Sequence, residues 1–337
     1  MSSLLFLGGL GAALFAAPPP AFSPAQLKDL QARKALKVLV TDSGLGGLSV
    51  CGDLESKALA YKTFQSIEII FCNALPEANY GYNNLATPRQ KARVFSDALN
   101  GMVKRYDPDI VLIACNTLSV VYPDTAVSHT LKVPVIGIVD LGVDMIVEQL
   151  QQQPASSAVV FGTETTISAG AHRKGCIARG IDSARIVTQP CAELAAEIQT
   201  NPRGEPAKNL IDLYVDEAVS HLPKDSNRII AAMCCTHYGY CADMFSQAFA
   251  AAGKKVEVVN PNEKMADLLF APGKEHRFAA SSVSVKVVSR ALLSPDETRA
   301  ISALLEKNAP KTAAALRQYE CKGDLFPFRR ESPPAAL

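Results

Sequence analysis

The sequence has no excess of charge of either sign. Its 337 residues include 34 Lys plus Arg and 33 Asp plus Glu, which gives a formal net charge of +1. Proteins that hold nucleic acid or an anionic membrane through their overall field need a cationic surplus. The balance argues against that class, and we expect no nucleic-acid partner. With 48% hydrophobic and 20% charged residues, the chain is long enough for two α/β domains.

The sequence also lacks the cysteine pattern of a disulfide scaffold or a zinc site. Its nine cysteines are scattered, and an odd number cannot all pair within the chain. Cys234, Cys235, His237 and Cys241 are candidate zinc ligands by residue type, but their spacing matches neither C-x-x-C nor H-x-x-x-H. We therefore expect mostly free thiols and no bound metal.

The apolar stretch near the N-terminus is too short to cross a bilayer comfortably. Leu4 to Ala17 has about the length of the apolar core of a signal peptide. No Lys or Arg precedes it, and no strict A-x-A cleavage site stands out. Residues 1–25 are a candidate signal peptide, which would make the protein exported or periplasmic. The alternative is an apolar leader on a cytoplasmic protein. In either case we expect no stable membrane span.

Strand and helix patterns alternate through most of the chain. The run from Asp109 to Thr117 is apolar at nearly every position, not at every second one. Such a run suits a strand covered on both faces, as in a parallel sheet with flanking helices. The run from Arg228 to Tyr238 has the same form. These patterns predict the α/β fold class.

Each of these two runs ends in a cysteine followed by polar residues. The first ends in Cys115-Asn116-Thr117 and the second in Cys235-Thr236-His237. In parallel sheets the functional groups lie beyond the carboxyl ends of the strands. A single buried cysteine is usually a small hydrophobic residue, but two at equivalent strand ends favour catalysis. Cys234 should point to the opposite side of its strand, into the core.

A glycine-rich turn follows the first strand, in the segment Asp42-Ser43-Gly44-Leu45-Gly46-Gly47. Its spacing is neither that of a dinucleotide-binding motif nor that of a P-loop. The turn would bring backbone N–H groups and Ser43 to a helix N-terminus, which suits a carboxylate ligand. Asp42 has two interpretations that remain open at this point: it is either a functional group or a plain N-cap.

Two thiols on opposite sides of a substrate carbon could invert its configuration. One thiolate would remove a proton, and the other thiol would return a proton to the opposite face. This chemistry needs no cofactor. His237 lies two residues after Cys235, and Asp42 could lie near Cys115 across adjacent strand ends. We expect these two residues to assist the thiols as general acid–base partners.

In order and spacing, four segments resemble the signature segments of cofactor-independent glutamate racemases. They are Asp42 to Gly47, Tyr80-Gly81, Cys115 to Thr117, and Cys235 to Tyr238. Thr163 to Ser168 and the segment around Cys191 resemble weaker family segments. The resemblance covers roughly Lys37 to Leu268.

The resemblance implies a fold and a site. The fold would be two pseudo-symmetric, doubly wound parallel-sheet domains with the active site between them. Cys115 and Cys235 would be the two bases, assisted by Asp42 and His237, and there would be no cofactor. His237 after the second Cys-Thr favours glutamate over aspartate as the substrate. The implied substrate-binding residues are Asp42, Ser43, Tyr80, Gly81, Asn116, Thr117, Thr236 and His237.

The domain boundaries we expect are residues 36–133 plus 241–290 for domain 1 and residues 134–240 for domain 2. Residues 291–337 would form a helical extension and a tail, outside the resemblance. The chain is compatible with a homodimer. Glutamate racemases that serve peptidoglycan synthesis use a cytosolic pool, so an exported member would have another role.

One departure from the family pattern keeps other functions open. The family usually has Pro before Tyr-Gly, whereas Asn79 stands there in this chain, in a loop rich in Asn and Tyr. The alternatives to glutamate racemisation are racemisation or isomerisation of another amino acid on the same fold, and a non-catalytic amino-acid-binding protein.

Overall fold

The structure is a computed structural model and describes residues 23–330. Most of the candidate signal peptide, residues 1–22, and the end of the tail, residues 331–337, lie outside the described residues. Between residues 23 and 330, no helix has both the length and the apolar character needed to cross a membrane.

Strands and helices alternate along the chain, as the sequence predicts. The strands are β1 (Ala35–Asp42), β2 (Ser66–Asn73), β3 (Ile110–Ile113), β4 (Val135–Gly137), β5 (Ser157–Gly162), β6 (Ile186–Pro190), β7 (Arg228–Cys234), β8 (Lys255–Val259), β9 (Ser282–Ser289) and β10 (Glu320–Cys321). The α-helices are α1 (Pro24–Ala32), α2 (Leu48–Tyr61), α3 (Pro88–Tyr106), α4 (Asn116–Val121), α5 (Val139–Gln152), α6 (Glu164–Ala169), α7 (Ala171–Ala178), α8 (Leu194–Thr200), α9 (Glu205–Ser220), α10 (Ala242–Ala251), α11 (Pro261–Asp267), α12 (Pro295–Leu305) and α13 (Pro310–Arg317).

The strands form two sheets in which every pairing is parallel. The first sheet has the order β10-β9-β2-β1-β3-β4, and the second has the order β6-β5-β7-β8. Alternate side chains of the central strands enter two different apolar clusters, one on each face of the sheet. Both faces of each sheet are therefore covered by helices. This arrangement confirms the predicted fold class and explains why the central strands are apolar at every position.

Two strands lie in a different sheet from the one that the predicted boundaries gave them. β4, at residues 135–137, pairs with β3 in the first sheet, although a boundary at residue 134 placed it in domain 2. β8, at residues 255–259, pairs with β7 in the second sheet, although a boundary at residue 241 placed it in domain 1. Both errors have the same cause: a strand's partner is chosen by long-range pairing, which its own sequence does not encode.

The predicted C-terminal extension is part of the first domain. It contains α12, α13 and the short strand β10, which joins the first sheet beside β9. The α12 helix begins with a complete capping box, in which Ser294 and Glu297 satisfy each other's backbone N–H groups. Pro295 at the first helical position favours the same start.

The carboxyl ends of the two sheets face a common space. β1 ends at Asp42, β3 leads directly to Cys115, and β7 leads directly to Cys235. The predicted polar groups are therefore brought to one place by strand direction, as expected for parallel sheets.

Candidate active site

A cavity of about 500 Å³ lies between the two sheets at their carboxyl ends. This volume falls within the range of about 300–1,000 Å³ that is common for small-molecule sites. Both domains contribute residues to its wall. The lining residues that carry polar or reactive side chains include Asp42, Ser43, Asn79, Tyr82, Asn83, Asn84, Cys115, Asn116, Thr117, Thr163, Glu164, Thr166, Cys191, Glu193, Gln199, Cys235, Thr236 and His237.

Cys115 is fixed at the junction of β3 and α4. Its Sγ atom is the N-cap acceptor of α4 and receives the Leu118 N–H at 3.4 Å. The Ser43 Oγ atom lies 3.2 Å from the same sulfur. Backbone N–H groups of Leu118 and Ser43 and the Ser43 hydroxyl therefore surround the sulfur, which lines the cavity.

Cys235 follows β7 and has a histidine beside it. Its Sγ atom lies 3.8 Å from Nδ1 of His237. The two cysteines of this segment face opposite ways: Cys235 belongs to the apolar cluster on one face of the second sheet, and Cys234 to the cluster on the other. This confirms the prediction that Cys234 points into the core.

Asp42 joins the two halves of the site. One carboxylate oxygen accepts the Ser43 N–H at 2.6 Å, and the other accepts the Thr236 hydroxyl at 2.7 Å. The N-cap interpretation of Asp42 is wrong, because the N-cap residue of α2 is Gly47. Asp42 reaches Cys115 through Ser43, whose hydroxyl contacts the sulfur.

Glycine is required where the Gly-rich turn meets the second cysteine segment. A Cβ atom on Gly46 would lie 2.2 Å from Oγ1 of Thr236 and 2.7 Å from the backbone nitrogen of His237. Real Cβ atoms essentially never lie this close to another heavy atom. The turn therefore brings its backbone against the opposite domain, which explains the glycine without any phosphate-binding role.

Burial controls the protonation of the reactive groups. It raises the pKa of the Cys115 and Cys235 thiols, and the nearby Asp42 carboxylate raises both further. Burial also lowers the pKa of His237, against the opposing effect of Asp42 and Glu297. These shifts favour the thiol form of both cysteines and a neutral His237 imidazole at neutral pH.

Asn116 offers an unused donor in the cavity wall. Its Oδ1 atom lies 3.1 Å from Nε2 of His172, so the histidine ring donates to the amide oxygen. Among the residues that the structure describes, the buried Nδ2 atom of Asn116 has no hydrogen-bond partner. Burial lowers the pKa of His172 to about 4, so this ring is neutral at pH 7. His172 thereby fixes the orientation of the Asn116 amide.

Three threonines form the wall beside Asn116. The Thr117 hydroxyl lies 2.8 Å from that of Thr163 and 3.3 Å from that of Thr166. The turn after β5 therefore contributes hydroxyl groups to the cavity wall. The Thr163 side chain also caps α6.

Tyr80 is not where the resemblance implied. Its ring does not line the cavity; it stacks under the Arg330 guanidinium at 4.4 Å, and its hydroxyl donates to the Asn84 carbonyl. The cause is local, because Asn79 adopts a left-handed conformation with φ of 59° and turns the loop. Gly81 and Tyr82 face the cavity, and Tyr82 packs edge-on against Phe95 at 6.2 Å.

Two polar residues of the site have no signal in the local sequence. The Gln199 amide lies against His237, with Oε1 2.9 Å from the ring Nε2 atom. Glu297 lies behind it and accepts a hydrogen bond of 2.8 Å from Nε2 of Gln199. These residues are separated by 98 positions in sequence, so only the folded chain reveals their contact.

All nine cysteines lie within residues 23–330 and are free; eight are buried, and Cys321 is exposed. The expectation of free thiols is confirmed. In the same part of the chain, no three His, Cys, Asp or Glu side chains converge in a way that would hold a metal ion.

Comparison with known proteins agrees with this geometry. The glutamate racemase of Limosilactobacillus fermentum is 28% identical over 224 residues, which cover 66% of this chain and 75% of that protein. The glutamate racemase of Aquifex pyrophilus is 25% identical over 205 residues, which cover 60% of this chain and 71% of that protein.

Solved structures show the same fold. Glutamate racemase from Francisella tularensis, in complex with D-glutamate, superposes with a TM-score of 0.62 at 17% identity, over 82% of this chain and 95% of that one. Glutamate racemase from Bacillus anthracis gives a TM-score of 0.62 at 17% identity, over 82% of this chain and 96% of that one. The model of the Asp/Glu/Hydantoin racemase family matches residues 45–269. With this match over most of the chain, and with two thiols at equivalent strand ends, the protein belongs to the Asp/Glu/Hydantoin racemase family of isomerases.

Proposed function

We propose that the protein interconverts L-glutamate and D-glutamate without a cofactor, with Cys115 and Cys235 acting on opposite faces of the α-carbon. The observation that carries the proposal is that both thiols line one cavity and each has its own polar partner. Ser43 lies 3.2 Å from Cys115, and His237 lies 3.8 Å from Cys235. Two thiols with separate partners suit removal of a proton by one and delivery of a proton by the other.

The thiols must become thiolates in the presence of substrate. His237 is neutral and can take the proton of Cys235 through Nδ1. For both thiols, the buried charge of Asp42 opposes ionisation. The ammonium group of a bound amino acid beside Asp42 would offset that charge and favour a thiolate. Substrate binding would thereby activate the base that removes its proton.

Neutral donors would hold the substrate carboxylates. Among the described residues that line the cavity, none is Lys or Arg. The unpartnered Nδ2 atom of Asn116 is a ready donor, and backbone N–H groups of the turn after Asp42 and the hydroxyls of Thr117 and Thr236 are others. Donors fixed in a cavity closed to water would also stabilise negative charge that develops on the substrate during proton removal.

Glutamate is the substrate best supported by similarity. The two relatives compared above are named glutamate racemases, and a solved relative was captured with D-glutamate. His237 after Cys235-Thr236 supports the same choice, through the resemblance to the glutamate type. The loop at Asn79 to Asn84 differs from the family pattern and lines the cavity, so it is the part of the site that would alter substrate choice.

The test uses the full-length chain under reducing conditions. Each enantiomer of glutamate is incubated in D2O, and optical rotation is followed together with deuterium at the α-carbon. Loss of rotation and deuterium uptake from both enantiomers are expected. Binding of glutamate without exchange would contradict the proposal and indicate a non-catalytic binding protein. Exchange with a different amino acid alone would show that the reaction is right and the substrate wrong.

A further inference from the structure

We infer that Glu297, in the C-terminal extension, is a positioning residue that fixes the tautomer of His237 through Gln199, so that the ring presents a lone pair to Cys235. The inference rests on the proposed function, in which Cys235 is one of the two bases. Glu297 lies beyond the segment that the family model matches, which ends at residue 269.

The first step of the chain is the carboxylate of Glu297. One of its oxygens accepts the Ser294 N–H at 3.1 Å, within the capping box of α12. The other accepts a hydrogen bond of 2.8 Å from Nε2 of Gln199. A carboxylate can only accept hydrogen bonds. The NH₂ end of the Gln199 amide therefore faces Glu297.

The second step is the opposite end of the same amide. With its nitrogen directed at Glu297, Gln199 presents Oε1 to the active site. That oxygen receives the Leu45 N–H at 2.7 Å and lies 2.9 Å from Nε2 of His237. A carbonyl oxygen has no hydrogen to give, so Nε2 of His237 carries the hydrogen.

The third step is the far side of the ring. A neutral imidazole has one N–H and one lone pair. Because Nε2 bears the hydrogen, Nδ1 has the lone pair, and Nδ1 lies 3.8 Å from the sulfur of Cys235. His237 can then accept the proton of Cys235. The other tautomer would direct an N–H at the thiol and could not.

The geometry around the three groups leaves little freedom. Gln199 and His237 are both buried, with 9% and 6% of their surfaces exposed. The α8 helix, which carries Gln199, packs against α12. A reversed Gln199 amide would place its NH₂ against the Leu45 N–H and its oxygen against the Glu297 carboxylate, two repulsive contacts in a buried position. The C-terminal extension thus contributes to the active site without touching the substrate.

The first variant is E297Q. The amide that replaces the carboxylate has only one oxygen and cannot accept hydrogen bonds from both the Ser294 N–H and the Gln199 NH₂. Either the hydrogen bond from Ser294 is lost, or the new NH₂ group faces the NH₂ group of Gln199. We expect kcat/KM to fall at least about 10-fold, a part of the 10²–10⁴ that a general acid–base group supplies. The double variant Q199E/E297Q restores every donor–acceptor pair, because the carboxylate then sits at position 199 and the amide behind it. It should recover most of the loss.

The tautomer itself can be observed without any assay of activity. Long-range ¹H–¹⁵N correlation spectra of histidine rings distinguish N–H from lone-pair nitrogens, and the chain has only five histidines. The His237 ring is assigned by its absence in His237→Asn. The Nε2–H form is expected in the parent and in Q199E/E297Q, with the Nδ1–H form populated in E297Q. An Nδ1–H parent, or an unchanged ring in E297Q, would overturn the inference.

Isotope effects separate positioning from a structural defect. With glutamate deuterated at the α-carbon, E297Q should raise the isotope effect on kcat/KM for the enantiomer whose proton Cys235 removes. For the other enantiomer, E297Q should lower the isotope effect on kcat/KM. In that direction Cys235 delivers the proton to the product, and this step becomes rate-limiting. A general loss of structure would affect both directions alike. The matched control is S294A, which removes the hydroxyl that accepts the Glu297 N–H but leaves both hydrogen bonds of the Glu297 carboxylate. It should keep the parent tautomer and isotope effects.

The failure of this inference and of the proposed function are distinguishable. If the parent exchanges neither enantiomer of glutamate, the proposed function fails, while the ring spectra still decide the role of Glu297. If the parent racemises glutamate and E297Q matches it in rate, tautomer and isotope effects, the proposed function stands and the role of Glu297 is wrong.

Discussion

The Asp42 carboxylate accepts a hydrogen bond of 2.7 Å from the Thr236 hydroxyl, and this contact joins the carboxyl end of the first sheet to that of the second. The same carboxylate raises the pKa of both thiols through its charge. One buried residue therefore links the domains and adds to the effect of burial, which raises the pKa of both thiols.

Replacing Asp42 by Asn should make both thiols more acidic. The substitution removes the negative charge but can keep the contact with Thr236. We expect iodoacetamide to alkylate Cys115 and Cys235 about 10-fold faster at a fixed pH near 8, which corresponds to a downward pKa shift of about one unit, the scale of a neighbouring like charge. Peptide mass spectrometry gives the rate at each cysteine. The matched control, Thr236→Val, keeps the charge; a downward shift there would contradict this explanation.

Replacing either candidate base should stop racemisation in both directions. Cys115→Ala and Cys235→Ala each remove one of the two proton carriers, and a loss of at least about 10³ in kcat is expected for groups that act as a unit. The control is Cys234→Ala, whose sulfur is buried on the opposite face of the second sheet. It should cost some stability and little activity. A Cys115→Ala or Cys235→Ala variant that racemises near the parent rate would rule out the two-base scheme.

The acid side of the pH profile should report His237. Burial holds its pKa below the ordinary 6.5, against the opposing charges of Asp42 and Glu297. Since the neutral ring is the active form, kcat/KM should stay level as pH falls from 8 to 6.5 and decline only below that. In His237→Asn this decline should disappear, with a lower rate at every pH. A decline centred above pH 6.5 in the parent would show that another group controls it.

His172 should make the fold sensitive to mild acid. Its pKa is about 4 in the folded protein, against an ordinary value of 6.5. The unfolded chain thus binds the extra proton first, and stability is lost as pH falls from 6.5 toward 4. Linkage gives a loss of about 2 kcal/mol at pH 5 from this group.

Urea unfolding at pH 7 and pH 5 measures this loss. His172→Gln keeps a side-chain N–H for the Asn116 oxygen but cannot titrate, so its free energy of unfolding should fall less between the two pH values. An equal fall in parent and variant would assign the acid sensitivity to other groups.

Gly46 should tolerate no side chain. In Gly46→Ala, the Cβ atom would meet Thr236 and the backbone of His237, so the turn and the second cysteine segment must separate. A change of about 1 Å in catalytic geometry can cost about 10²-fold in rate, and a loss of that size in kcat/KM is expected. Gly323→Ala, where a Cβ atom has nothing within 4 Å, is the control and should resemble the parent. Equal activities in the two variants would show that the close approach has no role in the reaction.

The sequence predicts the parts of the site that local pattern controls. Cys115 and Cys235 are predicted because each follows an apolar run that suits a doubly covered strand. The local sequence leaves Asp42 open between an N-cap and a functional group, and its role comes from the family resemblance. Parallel strand direction places the ends of β1 and β3 at one edge of the first sheet. The approach of Cys235, in the second sheet, depends on how the two sheets pack against each other.

Other parts depend on contacts that the local sequence does not contain. Gln199 and Glu297 meet across helices that are distant in the chain, and His172 reaches Asn116 from 56 positions away. The contacts of Tyr80 with Arg330 and Asn84 are equally absent from the local pattern, and they follow a turn in which Asn79 has a left-handed conformation. Such a conformation is rare for a residue other than glycine and is weakly signalled by sequence.

The order of the strands also bears on synthesis of the protein. The second sheet draws all its strands from residues 157–259, whereas β2 in the first sheet obtains its neighbour β9 only from residues 282–289. On a translating ribosome, all strands of the second sheet can be present while β2 of the first sheet still has a free edge. Exposed strand edges invite pairing with other chains, so the edge of β2 stays open to such pairing until β9 has left the ribosome.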